Sequence, residues 1–379
     1  MLRHGVARVT PLELFFDLIF VLALTQCTAL MAADPTWAGL GQAMLVLAML
    51  WWSWVGYSWL TSVVDPEEGA VRIAIFVAMA AFLVASLCVP QAFGELGLLF
   101  AAAYAVVRIA HIALFVIASG EDPGLRHSVA GLAVSTAIGS GLLVGAAFTD
   151  GTVQVGLWVL AVVLDVGGPL VIDSSGWRLS AEHFAERHGL IVIIALGESI
   201  VAIGVGAEAG VDAAVVTASV LGVAVCALLW WAYFDVVALV GAQQLEAAKP
   251  GVEQNTMARD SYSYLHFFMV AGIVLLALGL KKTLGHTEDP LKPETAFALF
   301  GGVAIYLLAL AWFKRRNVGS LNAVRVGAGV LLLALVPLAT QVASLLALAA
   351  LTGLLVALTV LESRLYAEAR SWIRSELRH

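Results

Sequence analysis

The sequence predicts an all-α polytopic membrane protein with about twelve transmembrane helices, arranged as two parallel six-helix repeats. Of its 379 residues, 61% are hydrophobic and only 12% are charged, whereas soluble domains are about 45–50% apolar and 25% charged. A window of about 19 residues, which is the length of a membrane-spanning helix, finds twelve apolar spans. Similar segments also recur at matching places in the two halves of the chain.

The spans are bounded by clusters of polar residues, proline or glycine. The first six cover residues 12–31, 40–60, 71–89, 96–117, 129–148 and 153–172. The second six cover residues 184–205, 213–240, 262–280, 296–313, 321–339 and 342–361. Only a short segment around Pro337 divides the last two spans, so one broken helix is the alternative there. We predict a first repeat at 1–173 and a second at 174–379, with 174–182 as the linker.

The basic residues predict the orientation of these spans. With the amino terminus in the cytosol, the inner loops and tails receive every Lys and Arg except Lys281, Lys282 and Lys292, which are outer, and Arg108, which lies mid-span. Cytoplasmic loops of membrane proteins carry such an excess of positive charge. Both termini are therefore predicted to be cytosolic.

Two pairs of segments indicate the internal repeat. FVLALTQ at 20–26 aligns with VIIALGE at 192–198, and AMLWWSW at 48–54 aligns with ALLWWAY at 227–233. Because each half holds an even number of helices, the halves should share one orientation and be related by an axis along the membrane normal.

Two blocks carry a family resemblance. LELFFDLIFVLALTQ near the start, together with EHFAERHGLIVIIALGESIV in the seventh span, resembles the bacterial low temperature requirement protein A (LtrA) family of multi-pass membrane proteins. The resemblance implies the bacterial cytoplasmic membrane and a role in growth in the cold, but no particular substrate. FFDLIFVLALTQ is also loosely similar to the first helix of six-helix-repeat potassium and proton channels, which have serine where this chain has Phe16.

Ionisable residues inside the first span are the first candidates for function. Glu13 and Asp17 are four residues apart and share one helix face. Two carboxylates at this spacing repel unless they share a proton or a cation. A charged side chain in a span is also costly, which predicts a functional role. Alternatively, both acids cap the helix that begins after Pro11.

The seventh span predicts a deeper acid and an inner-mouth cluster. Glu198 lies eleven residues after Arg187, about 16 Å further along the helix axis. This places Glu198 near the middle of the bilayer, where it must be protonated, paired or facing water. His183, Glu186, Arg187 and His188 are predicted to cluster at the inner mouth, and an ordinary interfacial salt-bridge group is the alternative.

Arg108 lies near the middle of the fourth span, where its guanidinium requires a carboxylate partner. By depth Glu198 fits, and Asp165 and Asp17 are the other candidates. His111 shares a helix face with Arg108, and it and His266 could relay protons.

Two more acids lie in other spans. Asp165 is followed by a Gly-Gly-Pro sequence, which predicts a helix break whose carbonyls line a cavity. Asp235 follows the run WWAYF in the eighth span.

Six tryptophans are predicted to form the inner interfacial belt, with a cation-binding aromatic wall as the alternative: Trp51, Trp52, Trp54, Trp59, Trp230 and Trp231.

The motifs of common enzyme classes are absent from the sequence, which contains no Walker loop, GxSxG or dinucleotide fingerprint. We therefore predict no catalysis, no cofactor, no metal site and no nucleic-acid partner, and we leave a homo-oligomer open.

The predicted partners are the lipid bilayer and a small ion or solute. The predicted function is proton-coupled transport by alternating access, in which protonation of Glu198 or of the Glu13 and Asp17 pair releases Arg108. A gated cation channel and a non-transporting protein needed in the cold are the alternatives.

Overall fold

A computed structural model describes residues 8–120, 122–171, 176–208 and 210–377. Within these ranges the regular elements are helices, and Pro290 and Ala343 form an isolated β-bridge. The predicted boundary between the repeats, at residues 173 and 174, lies outside the described residues.

The first part of the chain forms six long helices. They are α1 (Pro11–Ala33), α2 (Trp37–Thr61), α3 (Gly69–Cys88), α4 (Gly97–Ser119), α5 (Pro123–Ala146) and α6 (Gly151–Val171), with a 3₁₀ turn at Val89–Gln91 after α3. The start of α5 is set by Asp122, whose Oδ1 accepts hydrogen bonds from the backbone nitrogens of Gly124 (3.0 Å) and Leu125 (3.2 Å). Asparagine, aspartate and serine stabilise helix starts in this way.

The remaining helices are more irregular. They are α7 (Ala181–Gly206), α8 (Ala213–Phe234), α9 (Val237–Ala247), α10 (Val252–Met257), α11 (His266–Gly285), α12 (Pro293–Ala296), α13 (Gly302–Val318), α14 (Ala323–Ala339), α15 (Ser344–Leu365) and α16 (Ala367–Leu377). A π-helix at Ala258–Leu265 joins α10 to α11, and a second at Phe297–Gly301 joins α12 to α13. Hydropathy predicted neither π-helix, nor the break between α8 and α9.

Eleven helical segments among the described residues are long and apolar enough to cross a membrane. The remaining predicted span, 321–339, is the shorter helix α14 of 17 residues, which at about 1.5 Å per residue is slightly shorter than the roughly 30 Å hydrocarbon core. Because α14 and α15 are separate helices, the alternative of one broken helix around Pro337 is wrong.

The break predicted at the Gly-Gly-Pro sequence is not found. Helix α6 continues through Pro169 to Val171. A proline in the last turn removes only one backbone hydrogen bond, and neighbouring groups in a membrane protein can satisfy the freed atoms. The carbonyl of Pro169, in this last turn, accepts a hydrogen bond from Arg259 Nη1 at 2.9 Å.

The chain divides into two compact units. Unit 1 holds the described residues up to Leu30, Ala38–Arg187 and Ala248–Arg259, and unit 2 holds Met31–Trp37, His188–Ala247 and the chain from Asp260 onwards. In unit 1, α3 packs on α4, α4 on α5 and α5 on α6, whereas in unit 2 α11 packs on α13, α13 on α14 and α15 on α8. The division into two six-helix repeats stays a prediction.

Candidate functional site

The start of α1 places Glu13 in two roles at once. Its Oε2 accepts hydrogen bonds from Thr10 N (2.8 Å) and Thr10 Oγ1 (3.0 Å), and its own backbone nitrogen donates to Thr10 Oγ1 (3.3 Å). This reciprocal arrangement is a capping box, which the sequence Thr-Pro-Leu-Glu encodes. Glu13 therefore caps α1, and its other oxygen, Oε1, remains for contacts inside unit 1.

Oε1 of Glu13 faces two basic side chains from the start of α7. His183 Nε2 lies 2.9 Å from this oxygen and Arg187 Nη1 lies 3.7 Å from it. Arg187 also donates to Asp17 Oδ1 at 2.6 Å and to Thr61 Oγ1 at 3.0 Å. We call Glu13, Asp17, His183 and Arg187 the acid–base cluster of unit 1; none of its members is more than 2% exposed.

Trp54 of α2 completes the surroundings of Asp17. Its indole Nε1 donates to Asp17 Oδ1 at 2.7 Å, and the Arg187 guanidinium lies 5.4 Å from its ring centroid. Trp51, Trp52 and Trp54 are buried, so the predicted interfacial belt is wrong for these three residues. They contribute to the core of unit 1 because they lie on the faces of α2 that its neighbours cover. Trp230 and Trp231 are exposed.

The charges of the acid–base cluster do not balance by themselves. The two carboxylates carry two negative charges when ionised, and Arg187 supplies one permanent positive charge. Charges buried at this level are tolerated only when they are paired. The cluster is neutral only when it also holds one further positive charge, such as a proton or a monovalent cation.

A small cavity adjoins this cluster. Its volume is about 10 Å³, and it is lined by Leu12, Glu13, Phe16, Tyr57, Thr61, Pro66, Ile75 and Arg187. About 10–15 Å³ is the space that one water molecule requires. The cavity can therefore hold a water molecule against the Glu13 and Arg187 side chains, but no organic solute.

A second buried ion pair links α4, α5 and α6 in unit 1. Arg108 Nη2 lies 2.9 Å from Asp165 Oδ1 and donates to Thr136 Oγ1 at 2.7 Å. Thr136 Oγ1 donates in turn to Asp165 Oδ1 at 3.0 Å, and the Tyr104 hydroxyl donates to Asp165 Oδ2. We call Arg108 and Asp165 the balanced pair, because one positive and one negative charge face each other.

Of the three acids considered for Arg108, Asp165 is the one that contacts it. Asp17 contacts Arg187 instead, so Asp17 is not the partner of Arg108; Glu13 also lies near Arg187. Depth along a helix is similar for several spans, and only the packing of α4 against its neighbours selects one partner.

His111 is buried, and its ring packs against Tyr57 at 5.5 Å and Phe115 at 4.9 Å between centroids.

The hydroxyl of Thr136 is expected to stabilise the balanced pair. Thr136→Val keeps the side-chain shape but removes hydrogen bonds to two charged groups. In soluble proteins each such bond contributes about 1.5–3 kcal/mol to the free energy of unfolding. In a membrane protein the net effect is smaller, and we expect a loss of about 1–2 kcal/mol. Unfolding of the purified protein in mixed micelles measures it. Thr217→Val is the matched control, because exposed Thr217 donates only to the carbonyl of Ala213 in its own helix (2.7 Å); an equal loss in both variants would contradict the expectation.

The remaining predicted site residues belong to different units. Glu186 is exposed and accepts a hydrogen bond from Val9 N at 3.2 Å. Glu198 is buried in α7 within unit 2. Asp235 forms an ion pair with Arg370 of α16. The predicted inner-mouth cluster is therefore divided, since His183 and Arg187 join Glu13 and Asp17 whereas His188 and Glu186 do not.

His188 packs among aromatic rings of unit 2. Its ring centroid lies 5.3 Å from that of His266 and 5.4 Å from that of Tyr262. His266 Nδ1 donates to the carbonyl of Ser261 at 3.0 Å, because a carbonyl oxygen can only accept. Its Nε2 lies 2.8 Å from the hydroxyl of Tyr233.

Thr61, Thr136 and the hydrogen bond of Trp54 were not among the features predicted from the sequence. Each lies in a long apolar helix, and its importance depends on which charged group packs opposite. One signal was available, since a threonine or serine in a membrane helix frequently hydrogen-bonds a polar partner on a neighbouring helix.

These features define a polytopic α-helical membrane protein that buries ionised side chains within its helix bundle. The chain belongs to the bacterial low temperature requirement A protein (LtrA) family, whose sequence model matches residues 8–360. It is 31% identical over 320 residues to a protein of Rhizobium meliloti (strain 1021) described as "Uncharacterized protein RA0937", which covers 80% of this chain and 76% of that protein. No solved structure matches the chain significantly.

Proposed function

We propose that this protein moves protons across the bacterial cytoplasmic membrane in exchange for a small cation, with both termini in the cytosol, and that it acts by transport rather than catalysis. The observation that carries the proposal is the 2.9 Å contact between Glu13 Oε1 and His183 Nε2. This contact lies in a cluster of two acids and one permanent cation, which needs one further positive charge to be neutral.

Exchange follows from the same charge count. If the proton leaves the acid–base cluster, one uncompensated negative charge remains in a buried site, which is unfavourable by several kcal/mol. A monovalent cation that replaces the proton restores neutrality. Proton release and cation binding would thus be coupled by charge alone, without contact between the two ions.

The size of the adjoining cavity supports a small cargo. A volume of about 10 Å³ is far below the roughly 300–1,000 Å³ of typical small-molecule sites. It suits a proton carried by water, or a cation that has lost its water shell, better than an amino acid or a sugar.

The balanced pair has a different proposed role. Arg108 and Asp165 neutralise each other, and Thr136 and Tyr104 supply further hydrogen bonds. We therefore propose that this pair fixes the packing of α4, α5 and α6, and that the titrating site is the acid–base cluster. Release of Arg108 by protonation, as predicted from the sequence, is not needed in this scheme.

Glu13→Gln tests the proposal directly. Glutamine at this position can still complete the capping box, so the variant removes the titrating charge but keeps the start of α1. Liposomes that contain the parent protein and an internal pH-sensitive dye should acidify after an external pH drop when the internal cation is Na⁺ or K⁺, with the membrane potential clamped. We expect Glu13→Gln to reduce this rate at least about tenfold, which corresponds to about 1.4 kcal/mol in the barrier.

The matched control is Glu182→Gln, since Glu182 is exposed in the first turn of α7, next to His183. It should acidify at the parental rate. The proposal fails if liposomes with the parent protein acidify no faster than protein-free liposomes, whether the internal cation is Na⁺, K⁺ or choline. It also fails if Glu13→Gln and Glu182→Gln both acidify at the parental rate.

A further inference from the structure

A second cavity lies wholly within unit 2. It is near the carboxyl end of α13, where Lys314 is located. Its volume is about 190 Å³, and its apolar walls include Val237, Val240, Phe313 and Ile373. The cavity is built by the ends of α8, α13 and α15, the start of α14, and the helices α9 and α16. No residue of the acid–base cluster or of the balanced pair lines it.

The charged groups in this cavity leave an excess of positive charge. Arg325 donates to Glu362 through Nε (2.7 Å) and Nη2 (2.9 Å), so this pair is neutral. Arg370 forms an ion pair with Asp235. Lys314 makes no ion pair with a carboxylate among the described residues. The Lys314 ammonium lies 5.7 Å from the ring centroid of Tyr366.

The aromatic side chains around the cavity are typical of the level of lipid headgroups. Trp231 and Tyr366 line it and are 42% and 38% exposed, and Trp372, beside the lining residue Ile373, is 63% exposed. Tryptophan and tyrosine concentrate where the hydrocarbon meets the headgroups. Lys314 is also followed by Arg315 and Arg316 near the end of a span. Basic runs at this position attract anionic lipids.

We infer that this cavity binds the phosphate group of an anionic phospholipid, with Lys314 as the group that selects its charge. A volume of about 190 Å³ is smaller than a site for a whole drug-sized ligand, so the headgroup fits inside and the acyl chains lie along the exposed apolar surface. The apolar walls favour a lipid over free phosphate, because free phosphate would leave these walls unfilled. A zwitterionic choline headgroup would bring its own positive charge to Lys314.

Lipid titration of the full-length protein tests this inference. The protein is purified in a neutral detergent, stripped of lipid and titrated separately with dioleoyl phosphatidylglycerol, dioleoyl phosphatidylcholine and inorganic phosphate, with binding followed by native mass spectrometry and thermal shift. Phosphatidylglycerol should bind and raise the Tm, while the other two should not. Lys314→Gln should weaken phosphatidylglycerol binding about fivefold, which is the effect of one lysine near an anionic surface, and Lys314→Arg should restore it.

Lys281→Gln is the matched control, because it removes the same charge at the end of α11, away from the cavity lining; parental binding is expected. Val240→Phe fills the cavity without a change of charge and should also weaken phosphatidylglycerol binding. The inference is overturned if phosphatidylcholine or inorganic phosphate binds as tightly as phosphatidylglycerol. It is also overturned if both Lys314→Gln and Val240→Phe bind phosphatidylglycerol like the parent.

Discussion

Replacing Arg187 with glutamine is expected to destabilise the folded protein by about 3–5 kcal/mol, the typical effect of removing one partner of a buried ion pair. Arg187 donates to Asp17 at 2.6 Å and to Thr61 at 3.0 Å, and it lies 3.7 Å from Glu13. Without it, the Asp17 carboxylate keeps the hydrogen bond from Trp54 Nε1 but loses its ion pair, and Glu13 keeps its contact with His183. Unfolding of the detergent-purified variant at increasing SDS fractions measures the loss.

A second substitution separates this charge effect from lost packing. In Asp17→Asn/Arg187→Gln the unpaired carboxylate is gone, so the double variant should recover at least half of the stability lost in the single variant. Two contacting residues in one ion-pair network are expected to show such coupling. Arg178→Gln is the control, because Arg178 is exposed in the same unit and its loss should change stability by less than about 0.5 kcal/mol. Equal losses in the single and double variants would show that the charge on Asp17 does not matter.

The positions of the helices were largely predictable, because each is long and apolar and ends at polar residues or glycine. The span predicted at 40–60 is α2 (Trp37–Thr61), and that at 342–361 is α15 (Ser344–Leu365). The predicted start of a helix is wrong where the first turn of that helix is polar. Helix α5 begins at Pro123 rather than at residue 129, since the cap at Asp122 satisfies backbone groups that a hydropathy window does not register.

The partners of the buried charges were not predictable in the same way. Sequence gives the depth of Arg108, but it does not give the neighbours of α4 or the faces they present. Asp165 is 57 residues away from it and Thr136 is 28 residues away. Glu13 shows the opposite case, because its capping partner Thr10 is three residues away and the motif is visible in the sequence.

The two buried clusters of unit 1 can be distinguished by counting charges. Arg108 and Asp165 form a complete pair, and such pairs fix packing without needing an exchangeable ion. The acid–base cluster has one carboxylate more than its permanent cations, so its neutrality depends on a bound proton or another bound cation. This difference, rather than depth in the membrane, is our reason for proposing Glu13 and His183 as the site of proton exchange.

The second large effect is expected from Gly272→Ala in α11, with a loss of about 3 kcal/mol, at the upper end of the usual cost of overpacking. A Cβ atom at this position would lie 2.5 Å from the carbonyl oxygen of Gly302 and 3.0 Å from the backbone nitrogen of Tyr306. Both are backbone atoms of α13, so no side chain can rotate away and the two helices must separate. Small residues allow such close approach of membrane helices.

Two further variants make this expectation specific to the contact between α11 and α13. Gly302→Ala should cost about as much, because its Cβ would lie 2.6 Å from the carbonyl oxygen of Gly272. Gly285→Ala, in the last position of α11, should cost nothing or stabilise by up to about 1 kcal/mol, since no atom lies within 4 Å of its Cβ and alanine favours helix. Unfolding in mixed micelles compares the three variants. If Gly272→Ala proved as stable as Gly285→Ala, α11 and α13 could not be in backbone contact, and the core of unit 2 would have to be packed differently.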